Sequence, residues 1–175
     1  MRSRVGLGER ADSGGEVPQP ALTIDDGLDE ALRRPENASL RDFFGYWQGK
    51  RRGERLPARV DIEPTEIPQL LPNIFLVDVV AGERPRFRFR LVGTMIVSME
   101  FEMTNAYLDE LVAEVEATPM GRQYIDAAAG RIYLRRQRLD WRDRGYINYD
   151  VLLLPLADDG EAINMLLGLV AYHHP

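Results

Sequence analysis

The residues of this chain best suited to do chemistry are soft, apolar side chains between two strand-like segments. Met95, Met99 and Met103 recur every four residues, and Phe101 lies among them. A four-residue spacing places side chains on one face of a helix, and thioethers adapt to irregular apolar surfaces. The pattern predicts either the lining of a small-molecule pocket or a row of core residues, and the two assignments describe the same surface.

The other candidate ligand contacts flank this segment. Phe89 and Leu91 would form an apolar floor, and nearby tyrosines would offer hydroxyl groups at the rim, unless they are ordinary half-buried core residues. The predicted ligand-binding set is Phe89, Leu91, Met95, Met99, Phe101, Met103, Tyr107, Tyr124 and Tyr149. These groups act by contact and hydrogen bonding, so the chemistry expected of them is recognition of a small apolar or amphipathic molecule.

The chain offers poor material for catalysis or metal binding. Its only histidines, His173 and His174, lie at the end of the sequence, where no surrounding structure would orient a ligating ring. There is no cysteine, which excludes thiol nucleophiles and cysteine-ligated metals. Asp78 interrupts an apolar strand, and we expect an ion pair with Arg59 or another arginine rather than a general base. We therefore predict no enzyme, no catalytic or metal site, and no haem.

Composition restricts the partners. The net charge of −6 argues against a nucleic-acid or anionic-membrane binder. No apolar run approaches the roughly 20 residues of a membrane span, and the early arginines lack the apolar segment of a secretory signal. The basic run Lys50-Arg51-Arg52 has no glycine-rich phosphate loop beside it. A cytoplasmic protein without nucleic-acid or membrane partners is expected.

The secondary-structure pattern of the sequence predicts an α+β domain that holds these residues. In residues 85–92 Phe87, Phe89 and Leu91 alternate with three arginines, which is typical of a half-buried strand. Further strands are predicted at 73–80, 131–141, 146–156 and 161–172, with turns at 81–84, 142–145 and 157–160. A helix opened by Thr118-Pro119 is expected to end at Gly130.

The strands are of two kinds, which predicts their order in one five-stranded antiparallel sheet. Segments 146–156 and 161–172 are apolar on both faces and should be central. The arginine-bearing segments 85–92 and 131–141 suit the two edges. One face needs the central helices. The other needs a second cover, supplied either by an N-terminal amphipathic helix carrying Phe43, Phe44 and Trp47 or by a second subunit.

Domain boundaries follow from the same patterns. Residues 1–36 are expected to form a flexible tail with one short helix, and residues 37–175 a single domain.

Several short segments resemble a bacterial PAS-like family formerly known only as a domain of unknown function. The matching segments are Tyr46-Trp47, Leu56-Pro57-Ala58-Arg59, Asp61-Ile62-Glu63-Pro64, Leu70-Leu71-Pro72-Asn73-Ile74-Phe75-Leu76-Val77-Asp78, Phe89-Arg90-Leu91-Val92-Gly93-Thr94, Tyr107-Leu108-Asp109-Glu110-Leu111 and Leu154-Pro155-Leu156. They cover roughly residues 38–172. The chain departs from the family where a Phe-Gly turn and a Thr-Gly pair are common. Asn105 in this segment can tolerate a left-handed turn, so the fold should be retained.

The resemblance implies a sensory or protein-docking module, often dimeric, and supplies no catalytic residues. Two hypotheses stay open. The chain is a stand-alone sensor without an output domain of its own, which binds a small ligand, forms a homodimer and signals to an unidentified protein. Alternatively, it is a ligand-free adaptor that docks a signalling protein through Phe43, Phe44 and Trp47. A small enzyme is the least favoured alternative. The cofactor is unknown, although the lack of cysteine disfavours the covalent flavin adduct of photoactive PAS domains.

Overall fold

The computed structural model of the protein describes residues 21–140 and 146–173. Its strands are β1 (Thr23–Ile24), β2 (Ile74–Val80), β3 (Arg86–Val92), β4 (Arg131–Ile132), β5 (Leu134–Asp140), β6 (Tyr146–Leu156) and β7 (Met165–His173). Its α-helices are α1 (Leu28–Arg33), α2 (Ala38–Lys50), α3 (Thr94–Met99), α4 (Leu108–Leu111) and α5 (Pro119–Ala128). Short 3-10 turns occupy Pro35–Asn37, Arg59–Asp61, Pro64–Glu66, Leu71–Asn73 and Val115–Ala117.

Five of the strands form one antiparallel sheet in the order β3-β2-β7-β6-β5. The two arginine-bearing strands are therefore outermost, and the strands that are apolar on both faces are central, which confirms the predicted fold class and the predicted edge and central strands. Charged side chains on the outer strands discourage pairing with other chains, whereas most residues of the central strands are buried.

Helices cover both faces of the sheet. On the outer face, α2 packs Leu40, Phe43 and Trp47 against alternate residues of β6 and β7. The indole Nε1 of Trp47 donates a hydrogen bond to the carbonyl oxygen of Pro155 at 2.9 Å, which ties the helix to a central strand. The second cover is thus supplied by the chain itself. On the inner face, α3, α4 and α5 pack over the other set of alternate residues.

The segment before α2 joins the fold through its backbone. In β1 the N–H groups of Thr23 and Asp25 donate to the carbonyl oxygens of Gly130 and Ile132 at 2.8 and 2.9 Å, which makes a parallel pair with β4. Leu28 and Leu32 of α1 are buried in the outer core. The sequence-based division placed these residues in a flexible tail; the structure instead packs residues 21–36 against the sheet, because their apolar side chains complete its outer layer. Residues 1–20 lie outside the described part of the chain.

The predicted turns depend on a few special backbone positions. Asn105 has φ of 69°, the left-handed conformation that asparagine was expected to tolerate there, and Gly130 at φ 85° ends the α5 segment as expected. Gly160 has φ of 80° in the turn between β6 and β7. The turn predicted at residues 142–145 lies outside the described residues. Across the described ranges, no helix is both long and apolar enough to cross a lipid bilayer.

Candidate functional site

The helices on the inner face do not fill all the space above the sheet. A cavity of about 200 Å³ remains between α3, α4, α5 and the strands. Its lining is Phe75, Phe89, Val92, Ile96, Glu100, Phe101, Met103, Leu108, Leu111, Val112, Met120, Tyr124, Arg135, Tyr149, Val151 and Val170. Most of these side chains are apolar, and a few convergent polar groups accompany them, which is the usual composition of a small-molecule site. For scale, an engineered apolar cavity of about 150 Å³ binds benzene.

Aromatic rings form one wall of the cavity. Tyr124 on α5 lies with its ring centroid 6.1 Å from that of Phe89 and 6.5 Å from that of Phe75. Phe75 occupies this position because its cross-strand partner on β7 is Gly168, where a Cβ atom would lie only 2.1 Å from the Phe75 ring. A glycine in a central strand therefore makes room for an aromatic ring at the cavity.

The start of α5 fixes where Tyr124 lies. Thr118 caps the helix, and its Oγ1 accepts a hydrogen bond from the Gly121 N–H at 3.0 Å. Gly121 passes so close to the preceding 3-10 turn that a Cβ atom would lie 1.9 Å from the carbonyl oxygen of Val115. The cap and this close approach together hold the first turn of α5 in place over the sheet.

A buried arginine forms the polar end of the cavity. Arg135 on β5 is 7% exposed, and its Nε donates a hydrogen bond to Oε1 of Gln123 at 2.8 Å. Its Nη1 donates to Oε1 of Gln137. Gln123 is held in turn by hydrogen bonds from its Nε2 to two backbone carbonyl oxygens, at 2.9 Å for Val151 and 3.2 Å for Tyr133. Neutral amides thus hold this cation, and no carboxylate of the described residues lies within 4.0 Å of it.

A carboxyl group lies near this cation without pairing with it directly. Glu100 follows α3, and its Oε1 accepts a hydrogen bond from the Tyr172 hydroxyl at 3.1 Å. Burial raises the pKa of Glu100, and the hydrogen bond from Tyr172 and the charge of Arg135 only partly oppose this effect. Burial also raises the pKa of Tyr172, with the negative charge of Glu100 adding to it. The polar end of the cavity therefore favours a protonated Glu100 more than water does.

Replacing Glu100 by Gln is expected to stabilise the protein at neutral pH, by on the order of 1 kcal/mol. The folded-state pKa lies above the ordinary value of 4.5, so the folded protein loses stability as pH rises from about 4.5 through that pKa. Glutamine has no such titration. The free energies of unfolding of variant and wild type, measured by urea unfolding across pH 4 to 8, should differ little at pH 4. The difference should widen as pH rises.

Glu102 is the matched control for this measurement. It accepts a hydrogen bond from the Thr104 N–H at 2.8 Å, and its hydrogen bonds to Thr104 lower its pKa. Glu102→Gln should therefore not be stabilising at any pH in this range. A gap for Glu100→Gln that is constant with pH would contradict the assignment of a raised pKa to Glu100.

The structure brings five of the nine predicted ligand contacts to the cavity. They are Phe89, Phe101, Met103, Tyr124 and Tyr149. Leu91 is 44% exposed because β3 contains a bulge: Phe89 pairs with Val77, but Leu91 pairs with Leu76. The extra residue turns Leu91 to the outer face and brings Val92 to the cavity in its place.

The remaining three do not line the cavity. The helical row of methionines is interrupted because α3 ends at Met99, so Met95 is exposed, Met99 is half-buried, and only Met103, in the loop, reaches the cavity. Tyr107 lies under the guanidinium of Arg86, with the Cζ atom 3.9 Å from the ring centroid. Cation–π contact outside the cavity accounts for this tyrosine.

Sequence reasoning missed the polar end of the site. Arg135 was assigned to a charged sheet edge, and Glu100 to no role. The available signal was the register of β5: Arg135, Gln137 and Leu139 share the inner face opposite Val151, Tyr149 and Ile147 of β6. An arginine paired across from an apolar central-strand residue indicates a cation directed toward the core rather than toward water.

The predicted partner-binding residues lie on α2, against the face of the sheet opposite the cavity. Phe43 and Trp47 are completely buried against the outer face of the sheet, and Phe44 is half-buried with its ring centroid 6.0 Å from that of Trp47. Phe43 and Trp47 therefore cannot contact a partner in the folded chain, since their side chains are core of this domain.

The candidate charged groups form ion pairs. Asp78 pairs with Arg88 and Arg90, each at 2.8 Å, so the expected arginine partner is one other than Arg59. His173 belongs to β7, and its Nε2 lies 3.0 Å from Oδ2 of Asp150. His174 lies outside the described residues. In the part of the chain that the structure describes, no group of three or more histidine, aspartate or glutamate side chains could hold a metal ion.

A family model described as a PAS domain matches residues 36–171. Among solved structures, the Rhodobacter sphaeroides LOV protein is similar with 14% sequence identity and a TM-score of 0.42, over 63% of this chain and 68% of that one. A variant of RsLOV is similar with 16% identity and a TM-score of 0.43, over the same shares of the two chains. No curated protein matches.

Proposed function

Because the chain belongs to the PAS domain family, as the match over residues 36–171 shows, we propose that it is a sensor that binds a small ligand in the inner cavity. The cavity between α3, α4, α5 and the sheet is the single observation that carries this proposal. An apolar space of about 200 Å³ with an arginine, a carboxyl group and two tyrosines at its lining is suited to recognition. The function is binding rather than catalysis.

The signal of such a sensor leaves through contact with another protein. A ligand can shift the conformational equilibrium only by its differential affinity for the two states. The α3 segment and the following loop supply several cavity-lining residues, and Phe101 among them is 52% exposed at the surface. Ligand binding therefore alters a segment that is in contact with both the cavity and the solvent.

A homodimer is part of this proposal. Leu91 and Met95 are 44% and 43% exposed, so these apolar side chains are available to a second copy of the chain. Light scattering of the purified protein should give the mass of a dimer. A monomer at all concentrations tested would contradict this part of the proposal and leave ligand binding unaffected.

Replacing Val170 by Phe tests the proposed ligand site. Val170 is buried on β7 and lines the cavity, so a phenyl ring fills space that the ligand would occupy. Native mass spectrometry of the fresh wild type should show bound mass that is lost on denaturation. In Val170→Phe we expect that mass to be absent, with a free energy of unfolding within about 1 kcal/mol of the ligand-free wild type, because the added atoms enter existing space.

Val80→Phe is the matched control, since Val80 lies on β2, is 36% exposed and does not line the cavity. This variant should keep the bound mass. Bound mass that persists in Val170→Phe would place the ligand elsewhere. A wild type without bound mass, and without affinity for a panel of small apolar compounds, would overturn the sensor proposal.

A further inference from the structure

The guanidinium of Arg135 is in direct contact with no carboxylate of the described residues. Its side chain is 7% exposed, and its hydrogen bonds go to the neutral amide oxygens of Gln123 and Gln137. Its guanidinium also lies beside Tyr149, with the Cζ atom 6.0 Å from the ring centroid, and a hydrogen bond from Arg135 acts to lower the pKa of the Tyr149 hydroxyl. A buried cation without an anionic partner is unfavourable, and an ion-paired guanidinium is the common arrangement. The cavity therefore contains a positive charge that its own lining does not neutralise by direct contact.

Tyr124 is a second polar group of the same cavity lining. Tyr124 is 4% exposed and lines the cavity, yet its hydroxyl makes no hydrogen bond to any described residue. Burial raises the pKa of both Tyr124 and Tyr149, and the charge of Arg135 acts against this on each of them. Arg135, Tyr124 and Tyr149 all line the one cavity. A buried tyrosine hydroxyl usually has a hydrogen-bond partner. An anion in the cavity would accept a hydrogen bond from Tyr124 and supply the guanidinium of Arg135 with an opposite charge.

Glu100 is not the anion that pairs with Arg135. Its carboxylate is engaged by the Tyr172 hydroxyl at 3.1 Å and lies beyond 4.0 Å from the guanidinium. It stands near enough to Arg135 for their charges to interact. An ionised Glu100 would therefore repel an incoming anion, and it sets a limit on how tightly the anion binds.

The rest of the cavity determines the shape of the ligand. Apart from the polar end, the walls are aromatic and aliphatic, and a volume of about 200 Å³ is slightly larger than one that accepts benzene. We propose that the ligand is a small carboxylate with an apolar body about the size of one aromatic ring, whose carboxylate pairs with Arg135 and accepts from Tyr124. This inference rests on the proposed function and specifies the ligand class of the same site.

Calorimetric titration of the whole chain with matched acids and alcohols tests the proposal. The probes are benzoate, phenylacetate and hexanoate, each beside its neutral counterpart benzyl alcohol, 2-phenylethanol and 1-hexanol, at pH 7.5. The wild type should bind at least one acid about tenfold or more tightly than the matching alcohol, which is the scale of one charge-assisted hydrogen bond. Arg135→Met should remove this preference, and Glu100→Gln should increase the affinity for the acid but not for the alcohol.

The outcomes separate this proposal from the proposed function. Alcohols that bind as tightly as the acids, and lose binding in Val170→Phe, would overturn the carboxylate assignment but leave the cavity as a ligand site. Lack of binding by every probe, together with lack of co-purified mass, would overturn both. The acid-to-alcohol ratio of the wild type decides the question even where Arg135→Met does not fold. If Glu100→Gln changed the affinity for the acid and for the alcohol by the same factor, that result would also contradict the proposal.

Discussion

Replacing Arg136 by Met is expected to lower the free energy of unfolding by about 3 kcal/mol. Asp150 is completely buried on β6, and both its oxygens accept hydrogen bonds from Arg136 at 2.8 Å. Burial acts to raise the pKa of Asp150, but the hydrogen bonds from Arg136 and His173 outweigh it, so the pKa is lowered overall. Without the guanidinium, a buried carboxylate keeps only the contact with His173. Urea unfolding at pH 7 measures the loss.

The double variant Arg136→Met, Asp150→Leu is the control for this prediction. It removes both charges together, and a buried ion pair replaced by apolar residues of similar volume is often neutral in stability. Most of the loss should therefore be recovered. Equal losses in the single and double variants would show that the packing of Arg136, rather than the pairing of its charge, carries the effect.

The pH dependence gives an independent check on the same pair. Because the folded-state pKa of Asp150 is below its ordinary value of 3.8, its contribution is present above pH 3.8 and is lost as pH falls through the folded-state pKa. Arg136→Met lacks this contribution. The difference in stability between wild type and variant should therefore narrow as pH falls below 3.8. A difference that stays constant down to pH 2 would contradict the role assigned to Asp150.

Replacing Gly121 by Ala is expected to destabilise the protein by about 3 kcal/mol or more, the range seen for severe overpacking. The added Cβ would lie 1.9 Å from the carbonyl oxygen of Val115 and 2.6 Å from its Cγ1. Since a backbone carbonyl cannot rotate away as a flexible side chain does, α5 or the turn before it must move. That movement would displace Tyr124 from the cavity and Gln123 from its hydrogen bond with Arg135, so ligand affinity should fall as well.

Gly45→Ala is the matched control. Gly45 lies within α2, and an added Cβ atom meets nothing within 4 Å. The same substitution there should raise the free energy of unfolding by about 0.5–1 kcal/mol, because alanine favours the helix over the unfolded chain. If Gly121→Ala had the same effect as Gly45→Ala, the close approach of α5 to Val115 would not be a constraint on the fold.

Most of the fold was accessible from the sequence because charge and hydrophobicity alternate clearly in the strands. Arg86, Arg88 and Arg90 indicated one edge, and the continuous apolar segments around Leu153 and Leu167 indicated the centre. These patterns report burial, since a strand covered on two faces is apolar along most of its length. The fold class and the division into edge and central strands therefore followed from local patterns.

The site was less accessible because its geometry depends on small irregularities. The bulge in β3 shifts Leu91 to the other face, and neither Arg90 nor its neighbours carry a signal for that extra residue. Similarly, the spacing of Met95, Met99 and Met103 fits a helix, but α3 ends at Met99. Asp150 is completely buried, and residues 21–36, including Glu36 at 3.9 Å from Arg136, pack over that end of the sheet.

The position of β7 governs how this protein can reach its native state. The hairpins β2–β3 and β5–β6 have no pairing with each other, and the sheet becomes continuous only when β7 inserts between β2 and β6. Strands Ile74–Val80 and Met165–His173 are far apart in sequence, so this closure involves a long loop and should be slow relative to hairpin formation. During synthesis, β7 can pair with β2 and β6 only after residue 173 has left the ribosome. Until then the two hairpins expose their apolar edges.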